Sequence, residues 1–555
     1  MTRHAMTKRI AAVAMLALAV NPARSAVAGP SPGQTIVLGP FTGHYAQLHP
    51  DNLKPYRIAY YGTDLGWTYE HGGKLQILFG DTSATEEGQA IQASTGSAYD
   101  DGFGTIDLAA WRNPARITRG HIPLIRLGQN PGTTEMSAIN PGVPMEAFKT
   151  PLGGFSNGAS EFALFYTSKP AGCRVDADCP GGLTCDTGLG FFGERYDQPK
   201  GITFACTHGA PGCTPNTMVD ATGKPVEGSG FCSDRTSTAW AGTDVGRVSA
   251  VAVTQRIGIR STSDPRLYVN TRSWVTNKFA NVTVRTVQDF VPERGAGRAH
   301  QDYRSASGAG ANRRVFLWGR PGFIGVGARG RSLGLYFAYV DLPADPDFTW
   351  DLRYYAGTDS AGMPQFSANE RDAAAADLDS TQAGIQSAEE YDVVDQGSIA
   401  WVEPLGKWVM FYGGGMGKLP APPVLPRCGL LELFVGAECT DAVTGNGAIR
   451  MRTADDPWGP WSPPRDVIVG GDPDKLPLAG EYAAGGVLHH PDCTGKRCVS
   501  GTQSSQLQKR EYGFLYGANI IEQWVTPAGA SVDVIWNAST WDPYRIILLR
   551  TRINP

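Results

Sequence analysis

The chain has 555 residues, 69 of them glycine and 39 proline, with 18% charged and 10% aromatic side chains. That is too long for one small sandwich and rich in turn formers, so many short strands and few helices are expected. Its formal charge of −4, from 49 Lys and Arg against 53 Asp and Glu, lacks the basic footprint of a polyanion binder and excludes nucleic acid as an expected partner.

The first residues read as an address. Arg3, Lys8 and Arg9 precede the apolar run Ile10 to Val20, and Ala26-Val27-Ala28 offers a small-residue cleavage site. Residues 1–28 are therefore expected to be a signal peptide, with a mature chain starting near Gly29 that is secreted or periplasmic. No later stretch reaches the roughly 18 apolar residues of a membrane-spanning helix, so no membrane insertion is expected.

The first structural unit, Tyr56 to Thr82, reads YRIAYYGTDLGWTYEHGGKLQILFGDT. An apolar run meets Asp64, Gly66 and Trp67, breaks at His71 to Lys74, and resumes as a second apolar run ending at Asp81. This is the sequence form of a propeller blade whose inner strand offers an acid to a central pocket. Gly153 to Ser168 repeats the order of turn, carboxylate and strand, completed by Val248 to Val287 after an interruption. Within that interruption fall Cys173, Cys179, Cys185, Cys206, Cys213 and Cys232. The block lacks paired CxxC knuckles and holds only His208, which favours a disulfide-stapled insertion over zinc. Cys428 with Cys439 and Cys493 with Cys498 form two local couples.

A third unit runs from Val315 through Leu333 to Leu342 and on to Tyr355. A fourth is Val393 to Gly413, with outer strands in Gly447 to Val469. The fifth takes Glu481 to Leu488 and then Gly513 to Ile553. The Ala- and Asp-rich Asn369 to Glu390 reads as a helix at the rim. The predicted fold class is all-β: a five-bladed β-propeller over residues 29–555 with a disulfide-rich insertion at residues 169–245.

The opening TDLG followed by LFGDT, the strand GKWVMFY, the turn DPWGPWS at Asp456 to Ser462, and the closing STWDPYRIILLRT, in that order, resemble the secreted five-bladed propellers of domain of unknown function 4185. The resemblance runs from about residue 55 to the end, apart from the insertions. Some members of that family are endo-D-arabinanases, grouped as glycoside hydrolase family 183. It implies a hydrolase acting within D-arabinan-like, furanose-containing polysaccharides. It also implies an acid just before the small residue that starts the fourth unit, where this chain reads Asp395-Gln396-Gly397-Ser398; Gln396 in place of that acid implies altered or lost activity.

Glycoside hydrolysis needs two carboxyl groups across the sugar, one protonated to assist the leaving oxygen and one ionised. Asp64, where the first inner strand meets its turn, is the first candidate for the ionised group; an Asx-turn ordering Gly66 is its alternative role. Asp81, in a G-D-T turn, and Glu161, starting the apolar strand of the second unit, are the other catalytic candidates. Each has a plain alternative, as a turn former and a rim carboxylate respectively. Glu481 and Glu522 are reserves for the acid, more readily read as surface or interface carboxylates.

Trp67, Trp318, Arg320, Asp395 and Gln396 are candidates for substrate contact, with blade-to-blade packing as the alternative for the aromatics and the better reading for Trp541 and Tyr544. His489-His490 point to opposite faces of a strand, and Asp100-Asp101-Gly102 reads as a turn, so neither metal nor cofactor is expected. A monomer with a polysaccharide substrate is expected. The rival reading is a propeller that binds carbohydrate or a surface partner without cleaving it; an exo-acting furanosidase is the second enzyme alternative.

Overall fold

Apolar runs with a period of two send successive side chains to opposite faces of a sheet, so both faces of each strand unit must be covered. The computed structural model shows how. It describes residues 29–42, 62–83, 102–127, 149–158, 161–170, 172–173, 175, 177, 184–186, 218–219, 225–226, 230–233, 253–260, 268–276, 279, 281–288, 313–320, 335–341, 351–376, 378, 390–392, 394, 396–413, 416–418, 449–468, 481, 487, 514–541 and 545–555.

Five antiparallel blades follow one another along the described chain, the last two joined into one eight-stranded sheet by a single parallel bridge. Blade 1 comprises Gly62–His71, Lys74–Ser83, Gly102–Asp107 and Arg126–Leu127, and blade 2 comprises Lys149–Ser156, Glu161–Pro170, Val253–Arg260 and Tyr268–Thr276. Blade 3 comprises Asn281–Gln288, Arg313–Arg320, Tyr336–Asp341, Arg353–Thr358 and Pro364–Ser367. Blade 4 comprises Gly397–Val402, Lys407–Gly413, Ile449–Ala454 and Arg465–Ile468. Blade 5 takes Phe514–Ala528, Ser531–Trp541 and Arg545–Asn554, and its outermost strand is Ser31–Pro40, from the opposite end of the sequence. The first strand of each of blades 1 to 5 is the innermost, and these five inner strands touch in the cyclic order 1-2-3-4-5-1. The described strands therefore form a five-bladed β-propeller whose ring is closed by pairing its two chain ends.

Alternation builds the cores between blades. In blade 4, Ile399, Trp408, Met410 and Tyr412 face blade 3, where they meet Phe316, Trp318 and Phe337. The intervening Ala400, Val402, Val409 and Phe411 face blade 5 and meet Val534, Trp536 and Leu549. Blade 5 turns Ile535, Ile546 and Leu548 the other way, onto Leu75, Ile77 and Phe79 of blade 1. Each fully buried side chain of this size contributes about 1.5–3 kcal/mol, so these seams carry the ring.

Several sequence expectations need correction. Asn281–Gln288 is the inner strand of blade 3 and does not complete the second unit. The strand Ser31–Pro40 is a blade strand that the unit pattern did not show. Asn369 to Glu390 is not a helix where it is described: a single 3-10 turn at Glu370–Asp372 leads into chain whose Ala374 and Ala376 amides donate to the carbonyls of Tyr355 and Leu335. Those amides serve blade 3, so the helical ladder is not made. Glu481 and Val487, the described residues of Glu481 to Leu488, lie outside any strand. The signal peptide, the two cysteine couples, His489, His490 and Asp395 lie outside the described residues. So do the cysteine side chains of the insertion, of which two small sheets are described.

Gly397 begins the inner strand of blade 4 where it bridges Ala518 of blade 5 in parallel. A Cβ there would stand 2.2 Å from the Phe411 carbonyl oxygen and 2.6 Å from the Tyr412 Cα, both backbone atoms. Gly397→Ala is therefore expected to cost about 3 kcal/mol, at the upper end of overpacking effects, in a denaturant unfolding curve. A midpoint equal to that of the parent chain would show that the first two strands of blade 4 can part there without cost.

Candidate active site at the mouth of the axis

All five inner strands run in the same sense, so their starts gather at one end of the axis. Asp64 lies there, on a backbone that the local sequence alone would not hold. Leu65 and Gly66 have φ of 66° and 69°, and Leu65 is the one non-glycine residue with positive φ among those described. A branched residue in this region costs on the order of 1–2 kcal/mol, which surrounding structure must offset.

Blade 5 supplies the compensation. The Leu65 amide donates to Ser539 Oγ at 2.7 Å. The Gly66 carbonyl accepts from Asn519 Nδ2 at 3.1 Å and Asn537 Nδ2 at 3.0 Å. Asn519 Nδ2 also lies 3.0 Å from Thr68 Oγ1 and 2.9 Å from Asn537 Oδ1. Asn519, Asn537 and Ser539 are fully buried, so each polar group is held in a low-dielectric setting where an unmade bond is expensive. The register of blade 1 slips on both sides of Asp64, after Gly62 and after Leu65, which marks the segment as a bulge.

The Asp64 carboxylate itself is 8% exposed and accepts a hydrogen bond from the Tyr516 hydroxyl at 3.0 Å on Oδ2. Its cross-strand partner is Gly80. A Cβ on Gly80 would stand 2.6 Å from Asp64 Oδ1, so the glycine makes room for the carboxylate. Asp81 follows Gly80 in the ladder, which brings its backbone to the same end of the axis as Asp64. Its side chain lies outside what is described.

Gln396 is buried at the start of blade 4. Its Oε1 lies 3.7 Å from the point where a Cβ on Gly517 would stand, and Leu65 Cδ2 lies 3.6 Å from the same point. Gly517 follows Tyr516, so Gln396, Tyr516 and the Asp64 bulge converge. Arg320, 5% exposed, donates through Nη2 to Thr283 Oγ1 at 3.1 Å, and Thr283 Oγ1 in turn donates to the Gly397 carbonyl at 2.6 Å. Blades 1, 3, 4 and 5 thus each contribute a polar group to this mouth.

Other candidates lie elsewhere. Glu161 is on the second strand of blade 2, not on an inner strand, and opposes Ser156, at the end of the inner one. It accepts from the Tyr69 hydroxyl at 2.9 Å. Tyr69 is five residues beyond Asp64 along the strand, on the order of 15 Å away at strand rise. Asp64 and Glu161 therefore stand at opposite ends of the axis and cannot flank one glycosidic bond, which needs carboxyl groups within about 10 Å.

Trp318 is fully buried, with Nε1 donating to the Pro457 carbonyl at 2.6 Å and its ring 5.2 Å from that of Trp408. Trp67 packs with Tyr69, Leu78, Phe103 and Ala163 between blades 1 and 2. Both tryptophans are inter-blade packing and not sugar platforms. Glu481 pairs with Arg119, its oxygens 3.1 and 2.8 Å from the two guanidinium nitrogens.

The far end of the axis holds a small open pocket lined by Thr68, Glu70, Ser156, Arg285, Glu522 and Gln523 among others. Arg285 crosses from blade 3 to donate to the carbonyls of Ile399 at 2.9 Å and Ile520 at 3.2 Å, and pairs with Glu522 at 3.2 Å. Burial pulls its guanidinium below the ordinary arginine value, and Glu522 opposes that shift. Among the described residues no group of three or more His, Cys, Asp or Glu is placed to hold a metal ion.

Tyr516, Asn519, Asn537, Ser539 and Arg285 were not singled out from the sequence. Their signal was there: polar residues inside YGANI, IWNAS and VTVRTV, strands otherwise apolar enough to be buried.

No family model matches the chain, and no curated protein does. Solved structures do. A candidate hydrolase from Bacteroides ovatus is 10% identical, with 89% of this chain and 86% of that one covered and a TM-score of 0.35. An α-L-arabinofuranosidase from Podospora anserina, in complex with cellotriose, is 9% identical over 95% and 98% of the two chains, with a TM-score of 0.31. A β-xylosidase is 8% identical over 88% and 92%, with a TM-score of 0.29.

Proposed function

We propose that the chain is an extracytoplasmic glycoside hydrolase that cleaves within a furanose-containing, D-arabinan-like polysaccharide at the mouth where the inner strands begin. The observation that carries the reading is Asp64: a buried carboxylate at the axial mouth, held on a strained bulge by a buried polar network and met by a phenolic donor. Backbone strain of this kind is retained where a side chain must be aimed. The choice of substrate rests on the resemblance of the motif order TDLG, LFGDT and STWDPYRIILLRT to the propellers of domain of unknown function 4185.

In this reading Asp64 is the ionised carboxylate, which either attacks the anomeric carbon or takes a proton from the attacking water. Asp81, at the same end of the same two strands, is the acid that protonates the leaving oxygen. The separation of the two carboxyl groups then sets the stereochemistry, about 5–5.5 Å for retention and about 6.5–9.5 Å for inversion. Gln396 and Arg320, amide and guanidinium on the opposite wall, suit sugar hydroxyls. Gln396 cannot exchange a proton usefully, so it is given a binding role.

The test is incubation of the purified chain with a panel of arabinans, galactans and pectic polymers, followed by product size. Oligosaccharides of mixed length from one polymer are expected. A single small product from chain ends would turn the reading to an exo-acting furanosidase. Retained polymer binding without shortening of any polymer would sink the hydrolase and leave a carbohydrate-binding propeller.

A further inference from the structure

We infer that Tyr516 is a positioning residue for Asp64, working with the Asn519–Asn537–Ser539 clamp behind the Leu65–Gly66 bulge; this deepens the reading of Asp64 as the reactive carboxylate and rests on it. The division of labour follows from which atoms are held. The clamp acts on the backbone: Ser539 takes the Leu65 amide, and Asn519 and Asn537 take the Gly66 carbonyl. These bonds fix where the Asp64 Cα sits and in which direction its Cβ points, and none of them reaches the carboxylate.

Tyr516 does reach it. Its hydroxyl, carried on the inner strand of blade 5, donates to Oδ2 at 3.0 Å. Gly80, directly across the ladder, leaves room on the Oδ1 side, where even a methyl group would come within 2.6 Å. One oxygen is thus tethered and the other given space, which selects one orientation of the plane of the carboxylate. A nucleophile or base held this way enters the reaction with its orientation already set, and misplacement by about 1 Å can cost on the order of 10²-fold in rate. Tyr516 is half-buried and lies near the start of the inner strand of blade 5, Phe514–Ala528.

Tyr516→Phe keeps the ring and removes only the donor. On the polymer the chain cleaves, it is expected to lower kcat by roughly 10²-fold while KM stays within about twofold, because only the reacting group is disturbed. Gly80→Ala crowds the same carboxylate from the other side, and Leu65 Cδ1 at 2.8 Å with it, and is expected to lower kcat with Tyr516 intact. A Tyr516→Phe variant with kcat close to that of the parent overturns the inference, as does one whose KM rises in step with a fall in kcat. If the parent chain cleaves no polymer, the hydrolase reading fails by itself and crystal structures of the parent and Tyr516→Phe decide the positioning role. A carboxylate turned away from its parent orientation supports it, and one left in place overturns it.

Discussion

Asp64→Asn is expected to lower turnover by about 10³-fold or more, in the upper range for loss of a positioned acid–base group, while the chain unfolds at the parent midpoint. Two features of the structure separate chemistry from folding here. The substitution is isosteric, and the amide oxygen still accepts from the Tyr516 hydroxyl. The Leu65–Gly66 bulge is held through backbone atoms by Ser539, Asn519 and Asn537, and none of those bonds involves the carboxylate. What is lost is an oxygen that can attack carbon or take a proton. Asp81→Asn is expected to be as damaging on polymer, and the double variant no worse than the worse single one, since the proposed reading has the two groups act in one step.

The two roles part when the leaving group is changed. An activated aryl glycoside needs no proton to depart, so Asp81→Asn should recover much of its turnover on it while Asp64→Asn should not. Asp64→Asn retaining more than about a tenth of parental turnover, against the 10²–10⁴-fold that such groups contribute, would remove Asp64 from the chemistry. Recovery of Asp64→Asn instead of Asp81→Asn would exchange their roles.

The blade repeat was legible because period-two apolar runs with Gly-rich turns have few other solutions in a chain this long. The DPWGPWS segment is a turn between two outer strands of blade 4, as its Pro and Gly content implied. The closing strand Ser31–Pro40 was not legible, since its partner Arg545–Asn554 lies at the opposite end of the sequence and no local signal links them. The candidate carboxylates were readable as residues but not as a set. Whether Asp64 and Glu161 share an end of the axis depends on strand direction, and Glu161 opposite Ser156 is a matter of register, which unit spacing does not carry. Trp318 was misread for a related reason: a Gly-Arg-Pro turn follows it, yet its own alternation places the ring on the seam with Trp408.

Arg285→Met is expected to lower stability by about 3–5 kcal/mol, the range for breaking a buried ion pair from one side. The cost has two parts. Removing the guanidinium takes donors from the Ile399 and Ile520 carbonyls, which belong to the inner strands of blades 4 and 5. It also takes away the guanidinium 3.2 Å from the Glu522 carboxylate, whose side chain is 15% exposed in the axial pocket. Glu522→Gln removes only the second charge and leaves Arg285 on its carbonyls, so it should cost less than half as much. Because the pair is largely shielded from solvent, neither loss should shrink much with added salt, unlike that of a surface pair.

Denaturant curves decide between two accounts of the axis. If both substitutions cost the same, the ion pair alone matters and Arg285 does not latch blade 3 to blades 4 and 5. If Arg285→Met costs far more and Glu522→Gln little, the carbonyl bonds of one arginine hold three inner strands together.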